Sequence, residues 1–130
     1  MKFSVEKYKS INSENINKMV LAFYMRILGE DNDVSKIFVS KLGDDINSEL
    51  WQEHIGILTN FWAMITLDDT AYTGNPLATH LSLPLKKEMF GLWISMFYET
   101  IDSLYIDRLG SVFKNRADII AGNFMRNMRL

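Results

Sequence analysis

The near absence of helix breakers is the feature that most constrains the fold of this chain. Its 130 residues contain only two prolines, Pro76 and Pro84, which lie close together. Nearly everywhere else, apolar residues recur at the i, i+3, i+4, i+7 spacing of an amphipathic helix, and no alternating strand pattern is present. The length suits one domain. We therefore predict an all-α fold with a single domain over residues 1–130.

The first half of the chain is predicted to form a long helix, a short helix and a second long helix. Each begins at a residue type that favours a helix N-terminus. The glycine that ends the first helix is assigned the C′ position. The predicted bounds are Asn12 or Ser13 to Gly29, then Val34 onward with Asp33 as its cap, then Ser48 to about Leu67.

The second half is predicted to hold one loop and two more long helices. Residues 68–77 read as a loop, and residues 77–82 as one possible helical turn. Pro84 suits the first turn of the next helix, which extends to about Tyr105. The last helix runs from about Ser111 to the C-terminus. Its shared face is predicted to contain Val112, Phe113, Arg116, Ile120, Phe124 and Met128.

Charge and composition exclude several classes of function. The formal net charge is −2, and no long basic run supports binding to nucleic acid or to an anionic membrane. The absence of cysteine excludes disulfides, zinc and iron–sulfur clusters, and covalent haem attachment. No signal peptide or membrane-spanning window is evident. We therefore expect a protein of the cytoplasm.

Patterns of known catalytic sites are also missing. No carboxylate lies on an apolar stripe, so paired acid–base catalysis has little support. Gly-rich phosphate loops and the Gly-x-Ser-x-Gly elbow are absent.

The two histidines suit a cofactor that brings most of its own metal ligands. Two imidazoles cannot complete a zinc site, whereas the porphyrin of haem supplies four nitrogens and needs one or two axial ligands. His54 lies on an apolar helix face and His80 lies among leucines beside the loop, so the two could face opposite sides of one plane. For either histidine alone, a structural role in the core is the commoner case.

Two polar aromatic residues lie on or beside apolar helix faces. Tyr24 follows Phe23 on the first helix, and Trp93 lies on the face of the fourth. A buried Tyr O–H or Trp N–H needs a partner, which is usually a backbone carbonyl or water. Together with His54 they could form one polar spot that orients a small dipolar ligand.

Four segments carry a family resemblance when their order and spacing are taken together. They are "YTGNPLATHLSLP" from Tyr72 to Pro84, "FY" at 23–24, "WQEHIGILTNFW" at 51–62 and "MFGLW" ending at Trp93. With these segments, and without Gly-Gly pairs, the chain resembles the truncated haemoglobins, and within them the third, bacterial group. The resemblance covers most of the chain from Ile16 onward, and the extension of residues 1–10 is left unassigned.

The resemblance implies a two-over-two helical sandwich around noncovalent haem b. It assigns His80 as the proximal iron ligand and Tyr24, His54 and Trp93 as the distal polar residues. Phe38 matches an aromatic residue that packs on haem. Lys86 and Lys87 are candidates to neutralise the haem propionates, or form a solvated lysine pair. The expected haem pocket also contains Phe23, Leu58, Phe61, Leu77, Leu81, Phe90 and Phe97.

The function that follows is reversible binding of O₂, NO, CO or similar ligands. One alternative is a haem redox enzyme, with NO dioxygenase or peroxidase-like chemistry, that depends on an external reductase. Another is a haem-free helical interaction module. The sequence does not separate these roles, nor decide whether the protein is an enzyme. It leaves open whether His54 gates the pocket or binds iron as a sixth ligand, and it does not determine the oligomeric state.

Overall fold

Five α-helices make up the part of the chain that the structure describes. The computed structural model describes residues 6–67 and 85–130. These two ranges contain no strand, and one isolated parallel bridge joins Tyr8 to Tyr105. The all-α prediction is confirmed. The helices are α1 Ser13–Gly29, α2 Asp33–Leu42, α3 Glu49–Leu67, α4 Lys87–Leu104 and α5 Asp107–Asn127.

Asparagine side chains cap the first two helices. Asn12 and Asn15 form a reciprocal capping box, in which the Asn15 backbone N–H donates to Asn12 Oδ1 at 2.8 Å. Asn32, not Asp33, caps α2, because its Oδ1 accepts from the Ser35 backbone N–H at 3.0 Å. The predicted cap was therefore one residue too late. Each cap satisfies a backbone donor that has no partner inside the helix.

The first helix ends differently from the prediction. Gly29 is the last helical residue of α1, and Glu30 then leaves in an extended conformation. The predicted C′ role of Gly29 is therefore wrong, because an extended exit needs no left-handed residue. Among the glycines that the structure describes, the one with positive φ is Gly43, at +84°, which follows α2.

The bounds and the inward face of the last two helices also differ from the prediction. α4 begins at Lys87, and Pro84 lies outside the described residues. α5 begins at Asp107, before the predicted Ser111. Val112 and Arg116 of the predicted face are exposed. The buried stripe instead consists of small residues and one phenylalanine, namely Gly110, Phe113, Ala117 and Ala121.

Small residues allow α5 to lie close to α4. A Cβ added at Gly110 would lie 3.0 Å from Ile101 Cγ2, so the backbone of α5 approaches that side chain closely. α1 packs on α3 and α4 packs on α5, while α1 also contacts α4. The core therefore lies between two helix pairs, as the two-over-two prediction requires. No helix in the described ranges is long and apolar enough to cross a bilayer.

The described part of the N-terminal extension is docked on the turn between α4 and α5. The Tyr8 backbone N–H donates to the Leu104 carbonyl at 2.7 Å, and the Ile106 N–H donates to the Tyr8 carbonyl at 3.2 Å. The Tyr105 hydroxyl donates to Asn15 Oδ1 at 2.8 Å, and Asn15 Nδ2 donates to the Ser10 carbonyl at 2.9 Å. This segment is thereby tied to α1, to the end of α4 and to the turn before α5.

Candidate functional site

Four rings from three helices meet where α1, α2 and α3 converge. The four-ring cluster consists of Tyr24 on α1, Phe38 on α2, and Trp51 and His54 on α3. The Tyr24 ring centroid lies 4.8 Å from that of His54, 5.2 Å from Phe38 and 5.4 Å from Trp51. The His54 ring lies 5.9 Å from Phe38 and 5.7 Å from Trp51. Two polar rings are thus held within an aromatic enclosure.

Trp51 is a member of this cluster that the sequence analysis placed only in the core. It is fully buried, and its indole N–H donates to the Gly43 carbonyl at 2.8 Å. Its ring stacks on Phe38 at 5.9 Å. The sequence feature that could have placed Trp51 in the cluster is its position three residues before His54, because this spacing puts both side chains on one face of α3. Trp51 therefore links the end of α2 to the polar pair.

Tyr24 carries a phenol in a position shielded from water. Its side chain is only 4% exposed, and burial raises the pKa of the hydroxyl well above its ordinary value. The group therefore stays protonated at neutral pH and retains a donor.

Trp93 approaches the cluster from the other helix pair. It lies half-buried on α4, and its indole is nearly parallel to the Phe97 ring, 5.5 Å away at 3°. Phe23 lies between the two groups, because its ring is 5.8 Å from Trp93 and 5.2 Å from Tyr24. The structure thus brings Tyr24 and His54 into direct ring contact and links Trp93 to them through Phe23.

The other predicted pocket residues are divided between core and periphery. Phe23 and Phe97 are buried centrally, and their rings are 5.2 Å apart. Phe61 is buried against Trp62, and Leu58 is half-buried. Phe90 is buried and packs on Phe124 at 6.3 Å. His80, Leu77 and Leu81 lie outside the described residues, so their predicted roles stay predictions.

The charged groups lie at the periphery. Lys86 and Lys87 are exposed at the start of α4. Over the described ranges, no group of three or more His, Cys, Asp or Glu side chains is arranged to hold a metal ion. The four-ring cluster places Tyr24 and His54 together as polar groups beside two aromatic rings.

Comparison with known proteins decides the family. No family model matches the chain. It is 35% identical, over 119 residues and 91% of each chain, to a group 3 truncated haemoglobin of Campylobacter jejuni. The crystal structure of a group III truncated haemoglobin from Campylobacter jejuni has a TM-score of 0.85, at 34% identity and 95% coverage of each chain. This chain belongs to the group III truncated haemoglobins.

A further feature of this truncated haemoglobin is a series of ring contacts that leads away from the four-ring cluster. From Phe97 it continues to Trp62 at 5.1 Å, and from Trp62 to Phe113 at 5.7 Å. Phe113 contacts Tyr105 at 4.7 Å, and Tyr105 contacts Tyr8 at 5.4 Å. The series therefore reaches the docked N-terminal segment.

Proposed function

We propose that this chain is a one-domain globin that binds haem b noncovalently and reversibly binds O₂ and other diatomic ligands, such as NO and CO. The observation that carries the proposal is the pairing of Tyr24 and His54, with ring centroids 4.8 Å apart, inside an aromatic enclosure. Two hydrogen-bonding rings in a shielded apolar position are the arrangement that a small dipolar ligand needs for orientation. Family membership supports the cofactor.

The residues present fit a flat apolar cofactor. Phe38 and Phe23 offer aromatic surfaces next to the polar pair. His80 is the candidate iron ligand, because it is the histidine of the "YTGNPLATHLSLP" segment. It would bind iron in its neutral form through one ring nitrogen, which would leave its other N–H as a hydrogen-bond donor. When bound, haem supplies an iron atom at which diatomic ligands bind.

The polar residues determine how strongly a ligand is held. The buried Tyr24 hydroxyl donates a hydrogen bond to a polar ligand such as O₂, and the Trp93 N–H is a second donor. Because the surrounding rings exclude water, each bond is stronger than it would be in solvent. CO is less polar than O₂ and gains less from these donors. The enclosure therefore favours ligands that accept hydrogen bonds.

Absorption of the purified protein after addition of haemin tests the proposal, and the two histidines provide a matched pair of variants. We expect an intense Soret band in the wild type, its loss in His80→Ala, and its retention in His54→Ala. A folded wild type that stays colourless would contradict the globin function. Retention of an unchanged spectrum in His80→Ala would show that the iron ligand is wrongly assigned.

The ferrous spectrum of the same samples distinguishes the two roles of His54. If His54 gates the pocket, the ligand-free ferrous wild type has the single broad visible band of five-coordinate iron, and so does His54→Ala. If His54 is a sixth ligand, the wild type has two sharp bands that His54→Ala converts to one broad band.

A further inference from the structure

We propose that a series of contacting aromatic rings conducts oxidising equivalents from the haem site to Tyr8 at the protein surface, where a small one-electron reductant of the phenol or enediol class delivers electrons. The inference rests on the proposed haem function, and hydrogen peroxide is the oxidant. We call this series the aromatic relay. Its members, in order, are Trp93, Phe97, Trp62, Phe113, Tyr105 and Tyr8.

The first part of the aromatic relay is a nearly parallel stack. The indole of Trp93 lies at 3° to the Phe97 ring, and the indole of Trp62 lies at 15° to the same ring. Indoles give up an electron far more readily than a benzene ring does. Trp93 and Trp62 are therefore the two residues that are oxidised in turn, and Phe97 is the bridge between them.

The second part leads from the core to the surface. Phe113 bridges Trp62 and Tyr105, with ring centroids 5.7 Å and 4.7 Å away. Tyr105 is fully buried, and its hydroxyl donates to the amide oxygen of Asn15, which is too weak a base to take the proton. Tyr105 therefore keeps its proton and acts as a bridge as well.

Tyr8 is the terminal donor because it alone among the last three rings reaches solvent. It is half-buried, with its ring 5.4 Å from Tyr105, so water can accept the phenol proton when the ring is oxidised. Backbone hydrogen bonds with Leu104 and Ile106 hold it in place. Without the docked N-terminal segment, the series would end at a buried ring that cannot meet a reductant. The docked N-terminal segment thereby supplies the surface end of the aromatic relay.

Hydrogen peroxide takes two electrons and two protons and becomes two water molecules. Each electron leaves Trp93 for the haem site, Trp62 reduces Trp93, and Tyr8 reduces Trp62 through Tyr105. Tyr8 loses its proton to water and becomes a neutral tyrosyl radical. The reductant then returns one electron and one proton to Tyr8, and two such rounds consume one peroxide.

Tyr98 provides a matched control outside the aromatic relay. Like Tyr8 it is half-buried, and its hydroxyl donates to the Asp118 carboxylate, 2.7 Å and 2.8 Å from the two oxygens. The ammonium of Lys114 lies 4.9 Å from its ring centroid. If surface tyrosines were oxidised indiscriminately, Tyr98 would react at least as readily as Tyr8, because Asp118 is a ready proton acceptor.

The test traps the radical in the haem-loaded protein. The holoprotein is mixed with one equivalent of hydrogen peroxide and a nitroso spin trap, without reductant, and the adducts are located by peptide mass spectrometry. We expect the adduct at Tyr8 rather than Tyr98. Trp62→Phe should lower labelling of Tyr8 several-fold, and Tyr98→Phe should leave it unchanged. Tyr8→Phe should raise oxygenation of Trp62 and Trp93, because the oxidising equivalent can then no longer pass to Tyr8 and stays on the tryptophans.

Several outcomes would overturn the inference. Labelling of Tyr8 that is unchanged in a folded Trp62→Phe variant would exclude the relay as the route, and equal labelling of Tyr8 and Tyr98 would indicate non-specific oxidation. Trp62 is buried, so its replacement could disturb folding, and the surface variant Tyr8→Phe gives a second criterion. Unchanged oxygenation of both tryptophans in Tyr8→Phe would also contradict the relay. Absence of a Soret band would contradict the proposed haem function itself. A haem-loaded protein that is labelled at residues other than Tyr8 would contradict only the relay.

Discussion

At the scale of single residues, the phenol of Tyr24 combines burial with a retained proton. Its ring contacts His54, Phe38 and Trp51, and its pKa is raised because the charged form would lose solvation on burial. A neutral phenol donates one hydrogen bond without bringing a charge into the enclosure. This property suits a donor for a ligand that carries partial negative charge.

Replacement of the Tyr24 hydroxyl is therefore expected to release O₂ faster. A hydrogen bond to a charge-like acceptor contributes about 1.5–3 kcal/mol, so Tyr24→Phe should raise the O₂ dissociation rate by about one to two powers of ten. Stopped-flow displacement of O₂ from the ferrous protein measures this rate. Tyr98→Phe, which removes an exposed hydroxyl, is the control and should leave the rate unchanged. An unaltered O₂ dissociation rate in Tyr24→Phe would exclude the Tyr24 hydroxyl as the hydrogen-bond donor.

At the scale of elements, the linker after α2 is the point where local conformation and the site meet. Gly43 adopts φ +84° and ψ −176°, a backbone region that is essentially limited to glycine. Its carbonyl accepts the Trp51 indole N–H, and Trp51 contacts both Tyr24 and His54. A change of backbone at Gly43 would therefore be transmitted to the four-ring cluster.

Two glycine variants separate backbone strain from the filling of space. Apart from chain neighbours and the helix's own backbone, no atom of the described residues lies within 4 Å of a Cβ added at Gly43 or at Gly29. Gly43→Ala should lower the free energy of unfolding by about 1–3 kcal/mol, because alanine is strained at this φ. Gly29→Ala, at an ordinary helical φ, should be neutral or stabilise by up to about 1 kcal/mol. Urea unfolding measures both, and equal effects would contradict the conformational explanation.

The docking of the N-terminal segment on α1 and on the α4–α5 turn depends on a buried hydroxyl. Tyr105 donates to Asn15 Oδ1, which also accepts from the Asn12 backbone N–H. Loss of this buried bond in Tyr105→Phe should lower the free energy of unfolding by about 1–2 kcal/mol. Tyr98→Phe removes a more exposed bond and should change it by less than about 0.5 kcal/mol. If urea unfolding gave the two variants the same stability, the bond would have no special role.

At the scale of the whole molecule, burial of tyrosines links stability to pH. Burial raises the pKa values of Tyr24 and Tyr105 above the ordinary value of 10.0, and the charge of Tyr8 adds to the shift at Tyr105. The folded state therefore keeps protons that the unfolded state releases above that value. The stability contribution is fully present below pH 10.0 and is lost as the pH rises further.

Urea unfolding as a function of pH tests this linkage. The free energy of unfolding should be insensitive to these tyrosines up to pH 10.0, the ordinary value, and then fall by up to about 1.4 kcal/mol per pH unit for each of them. Tyr105→Phe should reduce the slope above that pH, whereas Gly29→Ala should not. A wild-type stability that rises above pH 10.0 would contradict the predicted sign.

The sequence predicted well which segments are helical, and predicted helix caps and buried faces less well. The apolar period of α3 correctly predicted that Trp51, Ile55, Phe61 and Trp62 face inward, because three large residues per two turns leave little choice of face. The period of α5 was misread at Val112 and Arg116. There the buried face consists mainly of Gly110, Ala117 and Ala121, and small residues give a weak hydrophobic signal although they permit close packing. The cap of α2 differed because the neighbouring residues Asn32 and Asp33 have similar preferences.

The sequence by itself determined the helical class and, by resemblance, the family, since both follow from spacings along the chain. It also identified Tyr24, His54 and Trp93 as polar groups near an apolar interior. Only the tertiary structure decided that Tyr24 and His54 are in ring contact and that Trp93 reaches them through Phe23. It alone added Trp51 to the cluster and joined Tyr8 to Tyr105. The physical reason is that helical periodicity specifies which face is buried, whereas the partner on that face depends on how separate helices cross.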